Sequence, residues 1–416
     1  MQLLLWRVCF RFLIITNTCK YKFLILWVVV TKFSLMNSEK LSTLQLCSVR
    51  WWNANAYYAI SLSEVLQKNK VDVVVGGTIH SPALQKARQF NLRTCELDLE
   101  NFHPWRWIRN ISILKNIVES LRINLINAHR PEDHFYSGIL KRKMPQIPLI
   151  RSVSDVRPPK TNLVNKYLHL KYTDHFIFSC QANRDRYLRV WPQLKEKSTV
   201  IYSGIDTQYF QPNELHSMNR LRYNIPSDSL VFGIVSRLSP VKKHSLFLKA
   251  AALLSKLTSK VFFIISGEEV EIKTTQLQEF CEQSGIAERT LFLGKFDDVR
   301  EVIRLIDVGV VCSSNSEAVS RITAEFLAMS RPVIATNINV LPEMITDGYD
   351  GFIVPSHSPD DLANRMNILV QNHQLLRTMQ HNARKTAETR FSYQRLFQET
   401  LQTYRMVLSK VTNNTI

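Results

Sequence analysis

The chain has 416 residues, longer than one hydrophobic core normally serves, so two domains are expected. Its 53 Lys and Arg against 35 Asp and Glu give a net charge of +18, with 45% hydrophobic residues, a balance that supports a soluble enzyme. The seven cysteines (Cys9, Cys19, Cys47, Cys95, Cys180, Cys281, Cys312) show no paired short spacing, which excludes a zinc pattern or disulfide framework and fits a reducing compartment.

Residues 1–35 stand apart. Arg7, Arg11, Lys20, Lys22 and Lys32 interrupt apolar runs of about nine residues, far below the roughly twenty that span a bilayer. No small-residue cleavage site follows them. The segment reads as a basic interfacial anchor, an uncleaved targeting segment or, the favoured reading, a start codon placed too early, with Met36 the true start.

An apolar strand at Leu44–Val49 then leads into the loop Arg50-Trp51-Trp52-Asn-Ala-Asn-Ala56 and a helix to about residue 68. Trp51 and Trp52 either stack on a sugar or simply pack. A second strand, Val71–Val75, ends at Gly76-Gly77. The helix Pro104–Arg122 carries a core stripe at Trp107, Ile111, Leu114, Val118 and Leu121, with Trp105, Arg106, Ile108 and Arg109 an interfacial mixture near its start. Strands follow at 124–128, ending at His129, and from Leu149, ending near Asp155. Asp155 could orient or deprotonate a hydroxyl, or cap its own loop. A helical region and a strand at Thr173–Phe178 complete this half.

The second half begins with the strand Leu230–Ser236, the turn containing Arg237, Lys242 and Lys243, and a helix Ser245–Leu257. A strand-to-helix turn flanked by an arginine and a lysine is suited to neutralising a diphosphate. Strands at Phe262–Ser266 and Leu291–Leu293 end at Gly267 and Gly294. The run Asp307–Val311 is short and β-branched, as a strand covered on both faces should be. Glu317 lies in the loop after it, where open α/β sheets bind ligands, and Glu325 sits in the helix Val319–Met329, which Pro332 stops. Two carboxylates facing one crevice suit a ligand rich in hydroxyls; alone, the pair could equally be a loop acid and a helix-face acid with no joint role.

The set of motifs settles that choice. Glu317 and Glu325, with seven residues between them, followed by Arg331-Pro-Val-Ile-Ala-Thr336, Pro342-Glu343-Met-Ile-Thr-Asp-Gly348 and Gly351-Phe-Ile-Val354, resemble the retaining family 4 glycosyltransferases. So do the Arg237–Lys242 spacing, the turn Ser203-Gly204-Ile205-Asp206 and the strand ending in His129. The resemblance covers most of residues 40–400 and is closest to enzymes of bacterial cell-surface polysaccharide. It implies an α/β, GT-B fold: two Rossmann-like domains with parallel sheets facing a central cleft. Residues 36–205 would bind the acceptor, residues 206–390 the nucleotide-sugar donor, and 391–416 would form a helix returning to the first domain.

The resemblance also implies residue roles. Glu317 and His129 contact the donor sugar, Glu325 the ribose hydroxyls, and Arg237 and Lys242 the diphosphate as leaving group; Ala318, Val319, Ser320, Gly267 and Gly294 line the donor. Ala318 and Lys243 stand where the family usually has glycine, Ser203 where it has asparagine, and the family's diglycine is missing from the loop at 50–56. No Asp-x-Asp metal motif occurs, so the expected chemistry is metal-independent, with no cofactor beyond the nucleotide-diphosphate sugar. Residues 36–205 hold 25 Lys and Arg against 13 Asp and Glu, a net +12, while residues 206–416 hold 23 against 22. The basic half favours anionic partners; without a recognised motif nucleic acid is set aside, and a saccharide or lipid-linked acceptor at an anionic membrane surface is preferred. The expected location is cytoplasmic, or peripheral on the inner face of the membrane. A nucleotide-sugar epimerase and a catalytically silent carbohydrate-binding module share the architecture.

Overall fold

The computed structural model describes residues 40–99, 104–212, 220–315 and 317–414. The expectations for residues 1–35 lie outside the described residues, as do the side chains of Trp105 and Arg106. The first half is built on β1 (Ser42–Leu46), β2 (Asp72–Gly77), β3 (Arg93–Glu96), β4 (Leu125–Ala128), β5 (Leu149–Val153), β6 (His175–Phe178) and β7 (Ser198–Val200). They form one parallel seven-stranded sheet in the order β3-β2-β1-β4-β5-β6-β7.

The second half repeats the plan with β8 (Leu230–Val235), β9 (Val261–Ser266), β10 (Thr290–Leu293), β11 (Val308–Val311), β12 (Val333–Thr336) and β13 (Gly351–Val354). Their order is β10-β9-β8-β11-β12-β13, again all parallel. In each sheet the strand order reverses beside its first strand, between β1 and β4 and between β8 and β11. Such switch points leave a crevice outside the carboxyl ends of the strands. Two Rossmann-like halves with parallel sheets therefore bear out the expected GT-B class.

Burial explains why these runs are strands. All six residues of β9 (Val-Phe-Phe-Ile-Ile-Ser) are buried, as a strand with helices on both faces requires. Gly309 in β11 serves a close approach: a Cβ there would meet the Phe326 ring at 2.5 Å, so its absence lets the helix Arg321–Ala328 press onto the sheet. The stripe on the helix Pro104–Ser120 packs inward, with Ile111, Leu114 and Val118 buried and Trp107 edge-on to Phe135.

Several element boundaries differ from the sequence reading, those of β1 and of the helix after Glu317 among them. β1 starts at Ser42 because its polar first residues are buried in the sheet, the Ser42 amide donating to Asn124 Oδ1 (3.0 Å). It ends at Leu46 because the chain turns, the Ser48 amide binding both oxygens of Asp133 (3.2 and 3.2 Å). The helix expected over Val319–Met329 is the shorter Arg321–Ala328, since Ser320 takes the cap position and its hydroxyl pairs with Thr323.

The last helix, Tyr393–Asn414, packs on the Ala54–Lys68 helix of the first half. Its Tyr404 hydroxyl is buried against that half's sheet, accepting from Asn127 Nδ2 (2.9 Å) and Gln45 Nε2 (3.2 Å). No helix among the described residues is long and apolar enough to cross a membrane.

Candidate active site

The turn after β8 is fixed before any ligand arrives. The Leu238 amide donates to Glu268 O (2.7 Å), and His244, buried at the start of the next helix, pairs through Nε2 with Ser236 Oγ (3.1 Å). Burial and the Lys242 charge lower His244 to about 4, so it is neutral near pH 7. Between them Lys243 takes a left-handed conformation (φ 49°), which explains why glycine suits this position.

This turn directs Lys242 onto the carboxylate of Glu317, and the two form an ion pair. Arg237 is exposed and makes no hydrogen bond or ion pair with another described residue. The turn also grips the opposite loop, Ser314 N donating to Val241 O (3.1 Å). The site residues of β8 and β11 are thus brought together across the switch point.

Glu325 is 2% exposed. Its Oε1 pairs with Arg321 Nε (3.0 Å), whereas Oε2 has no hydrogen-bond partner among the described residues. Burial raises the Glu325 carboxyl above its ordinary range, against the pull of Arg321. An unpaired buried carboxylate oxygen is costly to maintain, so it is an acceptor waiting for a donor. Arg321 in turn lies over the Tyr57 ring of the first half (5.3 Å to the centroid).

The remaining positions expected to line the donor lie in the loops after β9, β10 and β11. Ala318, Val319 and Ser320 are buried, and Ala318 O accepts from Ser179 Oγ (3.0 Å). At Gly267 a Cβ would lie 1.8 Å from Ser236 O, so only glycine lets β9 pass the Arg237 turn. Gly294 borders open space, and its carbonyl accepts from Ser266 Oγ (2.8 Å).

The first half places its residues differently. His129, expected to meet the donor sugar, is 0% exposed. Its Nε2 pairs with Gln45 Oε1 (3.0 Å), its Nδ1 is buried without a partner, and burial with the nearby Arg151 lowers it to about 3. The ring is a neutral part of the interior. Asp155 caps its own loop, accepting from the Arg157 amide and guanidinium (3.0 Å each).

The amides of Asn55 and Ala56, where a phosphate could have bound, are taken by the Asn53 side chain (3.0 Å each). Trp51 and Trp52 do not pack away: they are 69% and 38% exposed, with Trp52 edge-on to Tyr57 at 6.4 Å. Part of the expected basic surface is consumed internally, because Lys141 pairs with Asp174 (2.9 Å) and Lys197 donates to three backbone carbonyls. Arg321, Tyr57 and Ser179 escaped the sequence reading, since contact across the two halves leaves no local spacing. Glu343 was visible only as a member of a motif.

Comparison with known proteins finds matches to both halves of the chain. Residues 218–386 match the family described as glycosyl transferases group 1, and residues 56–209 match glycosyltransferase family 4. A D-inositol 3-phosphate glycosyltransferase of Saccharomonospora viridis is 24% identical over 265 residues, 61% of this chain and 61% of that one. The chain thus matches less than two thirds of that relative's length.

A glycosyltransferase from Rickettsia africae ESF-5 superposes with a TM-score of 0.80 at 19% identity, covering 89% of this chain and 99% of that one. Anabaena Alr3699/HepE in complex with UDP gives 0.77 at 20% identity, covering 88% and 99%. With both halves matched in order and the fold shared throughout, the chain belongs to the group 1 glycosyltransferases of GT-B architecture.

Proposed function

We propose that this chain transfers a sugar from a nucleotide-diphosphate sugar to a saccharide or lipid-linked saccharide acceptor, with retention at the anomeric carbon and without a metal. The observation that carries it is the open Oε2 of buried Glu325 beside the Lys242–Glu317 pair and the unpaired Arg237. A ribose hydroxyl supplies the donor that Oε2 lacks, and a diphosphate supplies the anion that Arg237 lacks.

In the reaction the acceptor oxygen bonds to the anomeric carbon from the face the phosphate leaves. The carbon–oxygen bond to the diphosphate breaks, and the acceptor proton passes to a departing phosphate oxygen. Arg237 and Lys242 stabilise charge that grows as that bond opens, which is where electrostatic binding lowers a barrier. As the diphosphate draws Lys242 away, Glu317 is released to accept from sugar hydroxyls.

UDP bound to a structural neighbour supports a uridine nucleotide. The name of the Saccharomonospora relative supports a hydroxylated, anionic acceptor, consistent with the basic first half. Exposed Trp51 and Trp52 offer that acceptor an aromatic face, and cell-envelope polysaccharide or lipopolysaccharide synthesis at the inner membrane face is the setting that unites these features.

The test is incubation of the purified chain with UDP-sugars and lipid-linked saccharides in EDTA, with the product linkage read by NMR. Transfer with retained configuration is expected. Loss of transfer on chelation, restored by magnesium or manganese, would overturn the metal-free mechanism. Donor isomerised without acceptor would replace transfer by epimerase chemistry, and binding without turnover by a carbohydrate-binding module.

A further inference from the structure

Glu343 belongs to the second half but spends its carboxylate on the first. It lies in the short helix Leu341–Met344 after β12. Its Oε2 accepts from the Gln181 amide (2.6 Å) and the Tyr202 hydroxyl (3.0 Å), and its Oε1 from the Ala182 amide (2.8 Å). Gln181 and Ala182 open the ten-residue helix Gln181–Val190, whose own cap position, Cys180, makes no side-chain capping bond. The helix therefore takes its cap from the other half, at the end where a negative charge is favoured. Tyr202, with its phenol pushed up to about 12 by burial and the Glu343 charge, keeps its proton and donates it.

The same turn reaches the site loop directly. Ser179 Oγ donates to Ala318 O (3.0 Å), and Val340 N, three residues before Glu343, donates to Glu317 O (3.1 Å). The backbone on either side of the Glu317–Ala318 peptide is thus tied to the Ser179–Ala182 turn, once directly and once through the Val340–Glu343 segment. The Arg390 guanidinium fastens Glu343 O from behind (2.5 Å).

We propose that the Ser179–Ala182 turn and Glu343 form a clasp between the halves that holds the Glu317–Ala318 loop in register with the acceptor side, making Ser179 and Glu343 positioning residues for the transfer. The clasp contacts neither carboxylate oxygen of Glu325 nor Arg237, so it acts on the geometry of attack and not on nucleotide binding. The kinetic part rests on the transfer reading above; the mechanical part does not.

Both parts are testable on the full chain with Glu343→Gln, Ser179→Ala and Tyr202→Phe. In Glu343→Gln one carboxylate oxygen becomes an amide that cannot accept. Hydrogen exchange by mass spectrometry should quicken at least tenfold in the peptide covering residues 313–324, although the substitution lies elsewhere. With UDP-glucose as donor probe, kcat should fall at least tenfold while the UDP dissociation constant stays within twofold. Tyr202→Phe removes one of three donors and should shift both readings the same way by less, which keeps the test decisive if Glu343→Gln does not fold.

Faster exchange confined to residues 181–185, with kcat unchanged, would reduce Glu343 to a helix cap and overturn the clasp. Weakened UDP binding at unchanged melting temperature would overturn it too, placing these residues in the nucleotide site. If the wild-type chain binds no UDP, the transfer reading fails and the exchange experiment alone decides the clasp.

Discussion

The loops at the two switch points occupy the same place in the same fold, yet they are finished differently. After β8 and β11 polar capacity is left open: Arg237 lacks a partner, Glu325 Oε2 lacks a donor, and Gly294 borders empty space. After β1 and β4 the helix-start amides and the buried carboxylate are tied to groups of the same half, although Ser48 Oγ and His129 Nδ1 find no hydrogen-bond partner among the described residues. Asn53 caps the helix behind it, Asn55 bridges His129 O (2.9 Å) and Ser154 Oγ (2.6 Å), and Asp133 accepts from Ser48 and Arg130. The loop after β1 exposes Trp51 and Trp52 beside Arg50 and Asn53.

Acid should break this contrast most visibly. His129, His169 and His175 in the first half are lowered to about 3, 4 and 4, and His134 well below its ordinary value, all chiefly by burial. Their folded pKa lies below the unfolded one, so the unfolded chain takes up protons first and stability is lost as pH falls from about 6.5 towards 4. His129, His169 and His175 each contribute a loss of about 2 kcal/mol at pH 5, and His134 acts in the same direction.

Asp133, raised to about 6 by burial, works the other way and offsets part of this. In the second half His244 stands against raised Glu325 and Asp350, so the balance is closer. Hydrogen exchange between pH 7 and 5 should show the first sheet losing protection before the second. Simultaneous loss in both would refute the assignment.

Lys242→Ala should lower kcat by about 10²–10³, the cost of removing one donor to developing charge. Steady-state kinetics should show kcat falling more than the donor KM rises, whereas the reverse would make Lys242 a ground-state contact. Glu325→Gln should weaken UDP binding at least tenfold by calorimetry, since a charge-assisted bond contributes about 1.5–3 kcal/mol. Unchanged affinity would remove Glu325 from the nucleotide site.

On the other side of the comparison, Trp51→Ala and Trp52→Ala should each raise the acceptor KM about fivefold and leave UDP affinity unaltered, an aromatic face contributing about 1 kcal/mol. A change in UDP affinity instead would erase the division of labour between the halves. The smallest effect belongs to Lys243→Gly. Left-handed backbone costs a non-glycine residue about 1–2 kcal/mol and glycine's extra unfolded freedom costs about 0.5–1, so a gain of about 0.5 kcal/mol is expected in thermal melts.

Much of this was legible in the sequence because local chemistry dictates it. Short β-branched runs such as Val308–Val311, each followed by a helical period, specify parallel strands between helices, and Pro332 and Gly267 mark where the chain must turn. The spacing of Arg237, Lys242, Glu317 and Glu325 marked candidate charges through its resemblance to a family pattern, and the structure pairs Lys242 with Glu317 and buries Glu325.

Whether a polar residue is spent or available is not local. Asp155 and His129 sit at strand ends like Glu317, yet Asp155 is taken by Arg157 two residues away and His129 by Gln45 on the neighbouring strand. Lys141 is drawn into an ion pair with Asp174, while Trp51, which looks like core, lies outside. Glu343 finds its donors more than 140 residues upstream. Sequence alone determined the strands, the helices and the candidate charges, because backbone preference and burial periodicity act over a few residues. Only the tertiary structure decided which of those charges face a ligand and which face each other, because hydrogen bonding and desolvation depend on what the rest of the chain brings alongside.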